Sequence, residues 1–310
     1  MAAVAAGLAV LCATAAASPA MGRAADRQGA ALRRAGTSIC QSWKGHDAMA
    51  SRISRGIRAV LDDRGSLVAI RVYDQYLGIG CSFNVSRHFY AASTVKVTII
   101  AALLRKAHVQ GRSLTDREKS LAWRMITQSD NDAATALWND VGRRSLQRFL
   151  QLAKMTHTYL GDDGYWGLTQ ITAHDEMLLL KLLLSKNTVL TKGARHYVLD
   201  LMAHVIRSQR WGVPAGAPTS FTVHVKNGWL PLATHGWRIH SLGCFTHSDQ
   251  NYSIVVLSEN NPSMSYGVRT VENLARVINH GLNPTATSVI PPSQPFPSWG
   301  KPDEHIPADH

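Results

Sequence analysis

Three short runs in this chain hold residues whose types and spacing can do chemistry. The first is Ser93-Thr94-Val95-Lys96, at the head of a stretch that stays apolar until Arg105. Such a stretch predicts a helix packed on every side rather than one lying on a surface. Residues three apart share a helix face, so Ser93 and Lys96 can meet. Burial disfavours the charged form of Lys96, and a neutral amine can take the proton of a serine hydroxyl. In a first turn, unpaired backbone N–H groups and the helix dipole favour an oxyanion forming at Ser93. Spacing alone does not identify a nucleophile, because Ser298-Trp299-Gly300-Lys301 repeats it in a tail of prolines and glycine that cannot form a helix core.

The second run, Ser129-Asp130-Asn131, falls where one helical pattern ends and the next begins. A second hydroxyl there can pass a proton to a leaving nitrogen, while Asn131 holds Lys96 or a substrate amide carbonyl. The same residue types are the commonest helix caps, which is what the run would be without chemistry. The third, Lys226-Asn227-Gly228, ends a strand predicted over 222–226. Its lysine can attract a substrate carboxylate and polarise the second serine, and its glycine removes a side chain that would block a ligand. Without chemistry it is a strand end followed by an Asn-Gly turn.

The elements that must position these residues follow from periodicity. Met49, Ile53, Ile57 and Val60 recur at helical spacing over 47–61. After the turn Asp62-Asp63-Arg64-Gly65, residues 67–73 and 78–83 read as a two-stranded hairpin. Thr115-Asp116-Arg117-Glu118 is a capping box that starts a helix running toward Gln128. Helices are also predicted over 132–140, 145–154, 172–184 and 191–207, strands over 221–226, 237–245 and 252–259, and a closing helix over 268–278. The fold class is α+β: an antiparallel sheet of about five strands from both chain ends, flanked by helices, with an all-helical lobe over about 93–210 inserted between them. One domain over 46–282 is expected, preceded by a flexible lead-in over 21–45 and followed by a disordered proline-rich tail over 283–310.

A net charge of +12 over 310 residues implies anionic surroundings, such as a cell wall, a membrane surface or nucleic acid. The basic residues are scattered, and no zinc finger, helix-turn-helix or aromatic RNA motif accompanies them, so no nucleic-acid partner is expected. Residues 1–20 are rich in Ala, Val and Leu and end Ala-Ala-Ala-Ser-Pro-Ala, resembling the apolar core and cleavage site of a secretory signal peptide. The positively charged start of such a peptide is missing, which leaves open a true start upstream of Met1. The expectation is a secreted protein. Cys12 would leave with that peptide; Cys40, Cys81 and Cys244 then allow one disulfide, whose partners the sequence does not choose. The 14 histidines include no His-Glu-x-x-His run and read as a scattered surface set, His235 and His240 among them. No metal or other cofactor is expected.

In this order and context, S-x-x-K at a buried helix start, S-D-N between helices and K-x-G on a late strand resemble the signature set of the penicillin-recognising serine hydrolases. The resemblance spans roughly residues 45–282. Class A β-lactamases are the nearest branch, because 125–134 reads Met-Ile-Thr-Gln-Ser-Asp-Asn-Asp-Ala-Ala. What the resemblance implies is a site in the cleft between sheet and helical lobe. Ser93 attacks an amide carbonyl and becomes acylated, with Lys96 as its proton partner. Ser129 relays a proton to the departing nitrogen, Asn131 positions the substrate, and Lys226 meets its carboxylate with Asn227 and Gly228 beside it. The N–H groups of Ser93 and Trp229 form the oxyanion hole.

Three departures from the family pattern bear on function. The interval from Ser93 to Ser129 is short against the family. Asn227 stands where threonine is usual, offering a carboxylate a longer and flatter donor. The family also carries a loop glutamate, followed shortly by asparagine, that activates the water freeing the enzyme. Here no glutamate lies between Asn131 and Asp175. Asp162 and Asp163 are the only acids of the 159–172 loop and the candidates for deacylation, although with Gly161 and Gly164 they also suit a turn. Glu176 suits the dipole at a helix start. General-base catalysis is worth on the order of 10²–10⁴ in rate, so acylation with lagging hydrolysis is expected. The sequence thus reads as a monomeric serine hydrolase acylated by a β-lactam or related amide. The alternatives are a D-alanyl-D-alanine peptidase or acyl-transfer enzyme acting on cell-wall peptide, and a non-turnover penicillin-binding or sensory wall protein.

Overall fold

The computed structural model describes residues 38–232, 234–248 and 250–293. Its centre is a six-stranded antiparallel sheet of β1 (Cys40–Ser42), β2 (Leu67–Asp74), β3 (Ile79–Phe83), β6 (Thr222–Leu232), β7 (Gly236–Thr246) and β8 (Asn251–Asn261), in the order β1-β3-β2-β8-β7-β6. The N-terminal hairpin joins the C-terminal strands through β2 and β8, with Ile70 opposite Val256. Nearly every residue of β8 from Tyr252 to Leu257 is buried, as in a sheet covered on both sides. Alternation along β8 shows the two covers. Tyr252 Oη donates to Asn279 of the C-terminal helix α8 (Met264–Leu282) at 2.9 Å. The next residue, Ser253, points the other way and donates to Cys244 Sγ, which lies against the Leu180 carbonyl of α6 (Ala173–Leu184). Helix α1 (Asp47–Asp62) packs beside α8 through the stripe Ala50, Ile53, Ile57 and Leu61.

Between the two halves of the sheet the chain builds the helical lobe: α2 (Val95–Val109), α3 (Asp116–Trp123), α4 (Asn131–Val141), α5 (Arg143–Leu152) and α7 (Lys192–Ala203). A short ladder of β4 (Phe89–Tyr90) with β5 (Gln170–Ile171) ties the lobe's entry to its exit. Helix α2 is buried at every position from Val95 to Leu103, and its residues share one apolar core with the sheet. The expected capping box is present: Glu118 N donates to Thr115 Oγ1, and Thr115 N to Glu118 Oε2 at 2.8 Å. Arg112 grips the same carboxylate at 2.8 and 2.9 Å and holds its pKa down to about 2.

The α+β class and the inserted lobe are as the sequence predicts, with three corrections and the open disulfide pairing now chosen. The sheet has six strands rather than about five, because Cys40–Ser42, inside the expected lead-in, pairs with β3. That pairing sets Cys40 opposite Cys81 and forms the disulfide, leaving Cys244 as a free thiol that burial pushes up to about 12. Residues 283–293, expected to be disordered, lie on the domain: Ile290 exchanges two 2.8 Å backbone bonds with Gly216 and Ala217 and packs on the core. Strand β6 runs on to Leu232 rather than ending at Lys226; it is an edge strand, where Pro231 is tolerated. The expected leader (1–20), Cys12, the lead-in up to residue 37, the Ser298–Lys301 repeat and the tail from 294 lie outside the described residues.

One carboxylate in this packing is out of the ordinary. Glu176, in the first turn of α6, is fully buried and neither of its oxygens has a hydrogen-bond partner. Burial, with Asp175 adjacent, raises its pKa from 4.5 to about 8. The native state therefore holds a proton that the unfolded chain releases above pH 4.5, so this group's contribution to stability is whole below that pH and declines as pH rises through 8. The slope is about 1.4 kcal/mol per pH unit at most. Glu176→Gln should match the wild type near pH 5 and exceed its urea midpoint at pH 9; equal midpoints at both pH values would show that Glu176 does not titrate in this range.

Candidate active site

Ser93 sits in a 3₁₀ turn, Ala92–Thr94, that feeds directly into α2. The turn is strained: Ala92 has φ +48°, a conformation that costs a non-glycine residue about 1–3 kcal/mol. Neighbours from three elements hold it. Ala91 N donates to Thr169 O at 2.8 Å, Thr94 Oγ1 donates to Ala91 O at 2.7 Å, and His240 Nε2 donates to Tyr90 O at 2.8 Å. Beneath the turn, Ala92 packs with Leu230 and Leu232 of β6, and with Tyr90 and Leu168. Ser93 is only 7% exposed, and the hydrogen bonds of Lys96 go to Ser129 and Asn131 rather than to the Ser93 hydroxyl.

His240 corrects the expectation of surface histidines. It is fully buried on β7, receives Ser258 N at Nδ1 and donates from Nε2, which is the bonding of a neutral ring. Burial lowers its pKa to about 4. Nothing in the local sequence marks it, because its role comes from the register that sets β7 beneath residues 90–93.

The Lys96 side chain is fully buried and donates to Ser129 O at 2.8 Å, Ser129 Oγ at 3.2 Å and Asn131 Oδ1 at 2.7 Å. The indole of Trp166 covers it, with the ammonium 4.6 Å from the ring centroid. Trp166 is itself fixed by a 3.1 Å bond from Nε1 to Thr135 Oγ1. Sequence reasoning passed over this tryptophan; the absence of an acid at this part of the loop was the one signal that something else faces Lys96.

Ser129 reaches the site through a local distortion. Helix α3 gives way at Arg124 to a π-helical turn, Arg124–Gln128, and Ser129 follows in the left-handed region with φ +58°. Asp130 then caps α4, its side chain accepting from Ala133 N at 2.8 Å. The capping reading of the run is therefore right for Asp130, whereas Ser129 and Asn131 face Lys96. From the sheet, Lys226 Nζ donates to Ser129 Oγ at 2.9 Å and to Asn227 O at 2.9 Å. One hydroxyl thus stands between two buried amines, one from the lobe and one from the sheet.

The neighbours of Lys226 differ from expectation. The Asn227 side chain is buried and spends both amide hydrogens on backbone carbonyls, Gln209 O at 2.8 Å and Trp211 O at 2.9 Å, so it braces β6 rather than offering a donor to a ligand. Gly228 has a packing reason. A Cβ there would meet Ala91 O at 2.8 Å and the amide nitrogens of Ser93 and Thr94 at 3.1 Å, so glycine lets β6 abut the turn that carries Ser93. Trp229 is half-buried and packs edge to face with Trp211. Asp162 and Asp163 are both exposed: Asp162 pairs with Arg143 at 2.9 Å, and Asp163 lies in a left-handed turn with Gly164. Neither carboxylate faces Lys96, because that turn spends them on the surface.

Comparison with known proteins follows the same lines. Residues 117–282, more than half of the chain, match the profile of the Beta-lactamase enzyme family. The match takes in Ser129, Asn131 and Lys226 but begins after Ser93 and Lys96. No curated protein matches the sequence. Among solved structures, a β-lactamase from Sphaerobacter thermophilus is 20% identical, with TM-score 0.65 over 78% of this chain and 98% of its own. A β-lactamase from Chitinophaga pinensis is 15% identical, with TM-score 0.66 over 74% and 99%. A PBP-A variant carrying a Leu-to-Glu substitution, solved as an acyl-enzyme complex with penicillin G, is 18% identical, with TM-score 0.63 over 75% and 96%. At these identities the likeness concerns the fold.

The Gly228 contact gives a direct test of the geometry. Gly228→Ala should force backbone apart from backbone, lowering stability by about 1–3 kcal/mol as overpacking does. Any reaction at Ser93 should slow by more than the loss of folded protein explains. Full activity with an unchanged melting temperature would mean that β6 and the turn are not in contact.

Proposed function

This chain belongs to the beta-lactamase enzyme family, and we propose that it is a serine hydrolase that Ser93 makes reactive toward β-lactams and related amides, with slow release of the acyl group. The observation that carries this reading is the Ser129 hydroxyl held between Lys226 and Lys96, the lysine three residues after Ser93. With Lys96 in its neutral amine form, Ser93 Oγ bonds to the carbonyl carbon as its proton passes to the Lys96 lone pair, and the N–H groups of Ser93 and Trp229 receive the oxyanion. The C–N bond then breaks, and the departing nitrogen takes the Ser129 proton. Lys96 or Lys226 restores that proton, since each lies within hydrogen-bond distance of Ser129 Oγ. Lys226 also supplies the charge that a substrate carboxylate needs.

Acylation requires nothing further, whereas hydrolysis requires a base for water. The family's usual loop base is missing, Asp162 and Asp163 are turned to solvent, and Trp166 faces the amine instead. Lys96 remains, already bonded to two residues of the S-D-N run. Deacylation slower by a factor on the order of 10²–10⁴ than with a positioned carboxylate follows. The PBP-A relative, trapped with penicillin G, is a precedent for such an adduct on this fold. A D-alanyl-D-alanine peptidase or acyl-transfer role fits the same chemistry, with cell-wall peptide as substrate. A secreted setting is part of this proposal; the Cys40–Cys81 disulfide suits an oxidising compartment, and the positive charge suits an anionic wall.

Intact-mass analysis during incubation with penicillin G tests the reading. A stoichiometric adduct that outlasts the free drug is expected in the wild type. It should be absent in Ser93→Ala, and its lifetime should be unchanged in Asp162→Asn and Asp163→Asn. Labelling of Ser93→Ala would refute the nucleophile, and rapid return to free enzyme would refute slow release.

A further inference from the structure

Outside the acyl-transfer site, three groups converge where the 159–172 loop begins and ends. The loop is closed by the bridge of Tyr159 to Gln170. His157 precedes that bridge by two residues, while His174 and Asp175 follow it in the first turn of α6. The Asp175 side chain is fully buried, whereas the His157 and His174 side chains are 52% and 45% exposed. Oxygen Oδ2 of Asp175 is already fixed, accepting from His157 N at 2.8 Å and Thr158 Oγ1 at 2.9 Å. That fixes the direction of Oδ1, which lies 3.1 Å from His174 Nδ1 and 3.7 Å from His157 Nδ1. One ligand atom from each residue falls within 4.8 Å of the other two.

These separations have a chemical meaning. Two atoms bound to one zinc ion at about 2.1 Å in tetrahedral geometry stand roughly 3.4 Å apart, and the observed 3.1 and 3.7 Å bracket that distance. A His–Asp hydrogen bond accounts for the His174 contact; the His157 ring reaches the same oxygen because its own amide donates to Asp175 Oδ2, and its Nδ1 also lies 3.3 Å from Thr156 Oγ1, a contact a metal ion would replace. We propose that His157, His174 and Asp175 bind one divalent transition-metal ion, with Zn²⁺ the natural fit, and that the ion staples together the two ends of the loop carrying Trp166.

The donor set is two imidazoles and a carboxylate, suited to a borderline ion that keeps water on its remaining positions. Outer contacts of the usual kind are in place. Thr158 and the His157 amide orient the carboxylate, and His88 Nε2 lies 3.0 Å from His157 O while its ring stacks on Tyr159. A helix N-terminus disfavours a cation, and the buried negative charge of Asp175 offsets that. The expectation of a scattered histidine set fails here because residues 17 apart in sequence meet only through the loop's closure. This inference does not rest on the acyl-enzyme reading.

The test uses the full chain, stripped with chelator and dialysed against micromolar ZnCl₂, with bound metal measured by elemental analysis. The His157→Ala/His174→Ala double variant should hold one equivalent less than the wild type, while His196→Ala, an exposed histidine elsewhere, should hold the same as the wild type. Half-exposed rings can be removed without opening the core, so the double variant is expected to fold, and its circular dichroism checks this. Zinc should also slow hydrogen exchange of the amides in 159–170 in the wild type and not in the double variant. Equal metal content in the wild type and double variant overturns the site, and exchange unchanged by loading overturns the staple.

Discussion

Two amines meeting on one hydroxyl oxygen is the constraint that the rest of this protein serves. Lys96 comes from the helical lobe, Lys226 from the edge strand of the sheet, and Ser129 from the break between two helices. Neither lobe can build the site alone. Burying two cations costs several kcal/mol each unless acceptors meet them. Here the acceptors are a serine hydroxyl, a serine carbonyl, an asparagine amide and the carbonyl of Asn227. Those acceptors fix the break at Ser129 and the placement of β6, and the shared apolar core holds the two in register.

Two of the six non-glycine residues with positive φ among the described residues lie at the same place. Ala92, beside Ser93, and Ser129, between the two lysines, are both in the left-handed region without being glycine. Such conformations persist where the surroundings over-determine them. At Ala92 the surroundings are the Thr169, Tyr90 and His240 contacts and a small apolar cluster. At Ser129 they are a π-helical turn and two lysines. The result is a pair of hydroxyls aimed by backbone geometry rather than by flexible side chains, which suits a reaction that depends on positioning.

The 159–172 loop separates the two halves of the reaction. Its carboxylates point outward, and its tryptophan lies over the Lys96 amine. In the proposed reaction the covalent intermediate forms from residues of the lobe and the sheet, whereas its hydrolysis needs a base this loop does not aim inward. The loop's own ends are tied to β4 and to the start of α6, so its conformation is coupled to the turn that carries Ser93.

Much of this was legible in the chain itself. The burial of α2, the capping box at Thr115, the alternation of sheet and helix, and the three motifs are patterns within a few residues of one another. Local sequence fixes such patterns because helix faces and caps are short-range physics. What only the tertiary structure decided are matters of register between distant segments. The pairing of β1 with β3 chose Cys40 and Cys81 over Cys244, and the position of β7 turned His240 from an ordinary histidine into a brace for the Ser93 turn. The closeness of β6 to Ala91 gave Gly228 its reason, the carbonyls of 209 and 211 claimed the Asn227 amide, and loop closure placed Trp166 on Lys96. A side chain's partner on another element depends on how whole elements stack, and no short window of sequence contains that information.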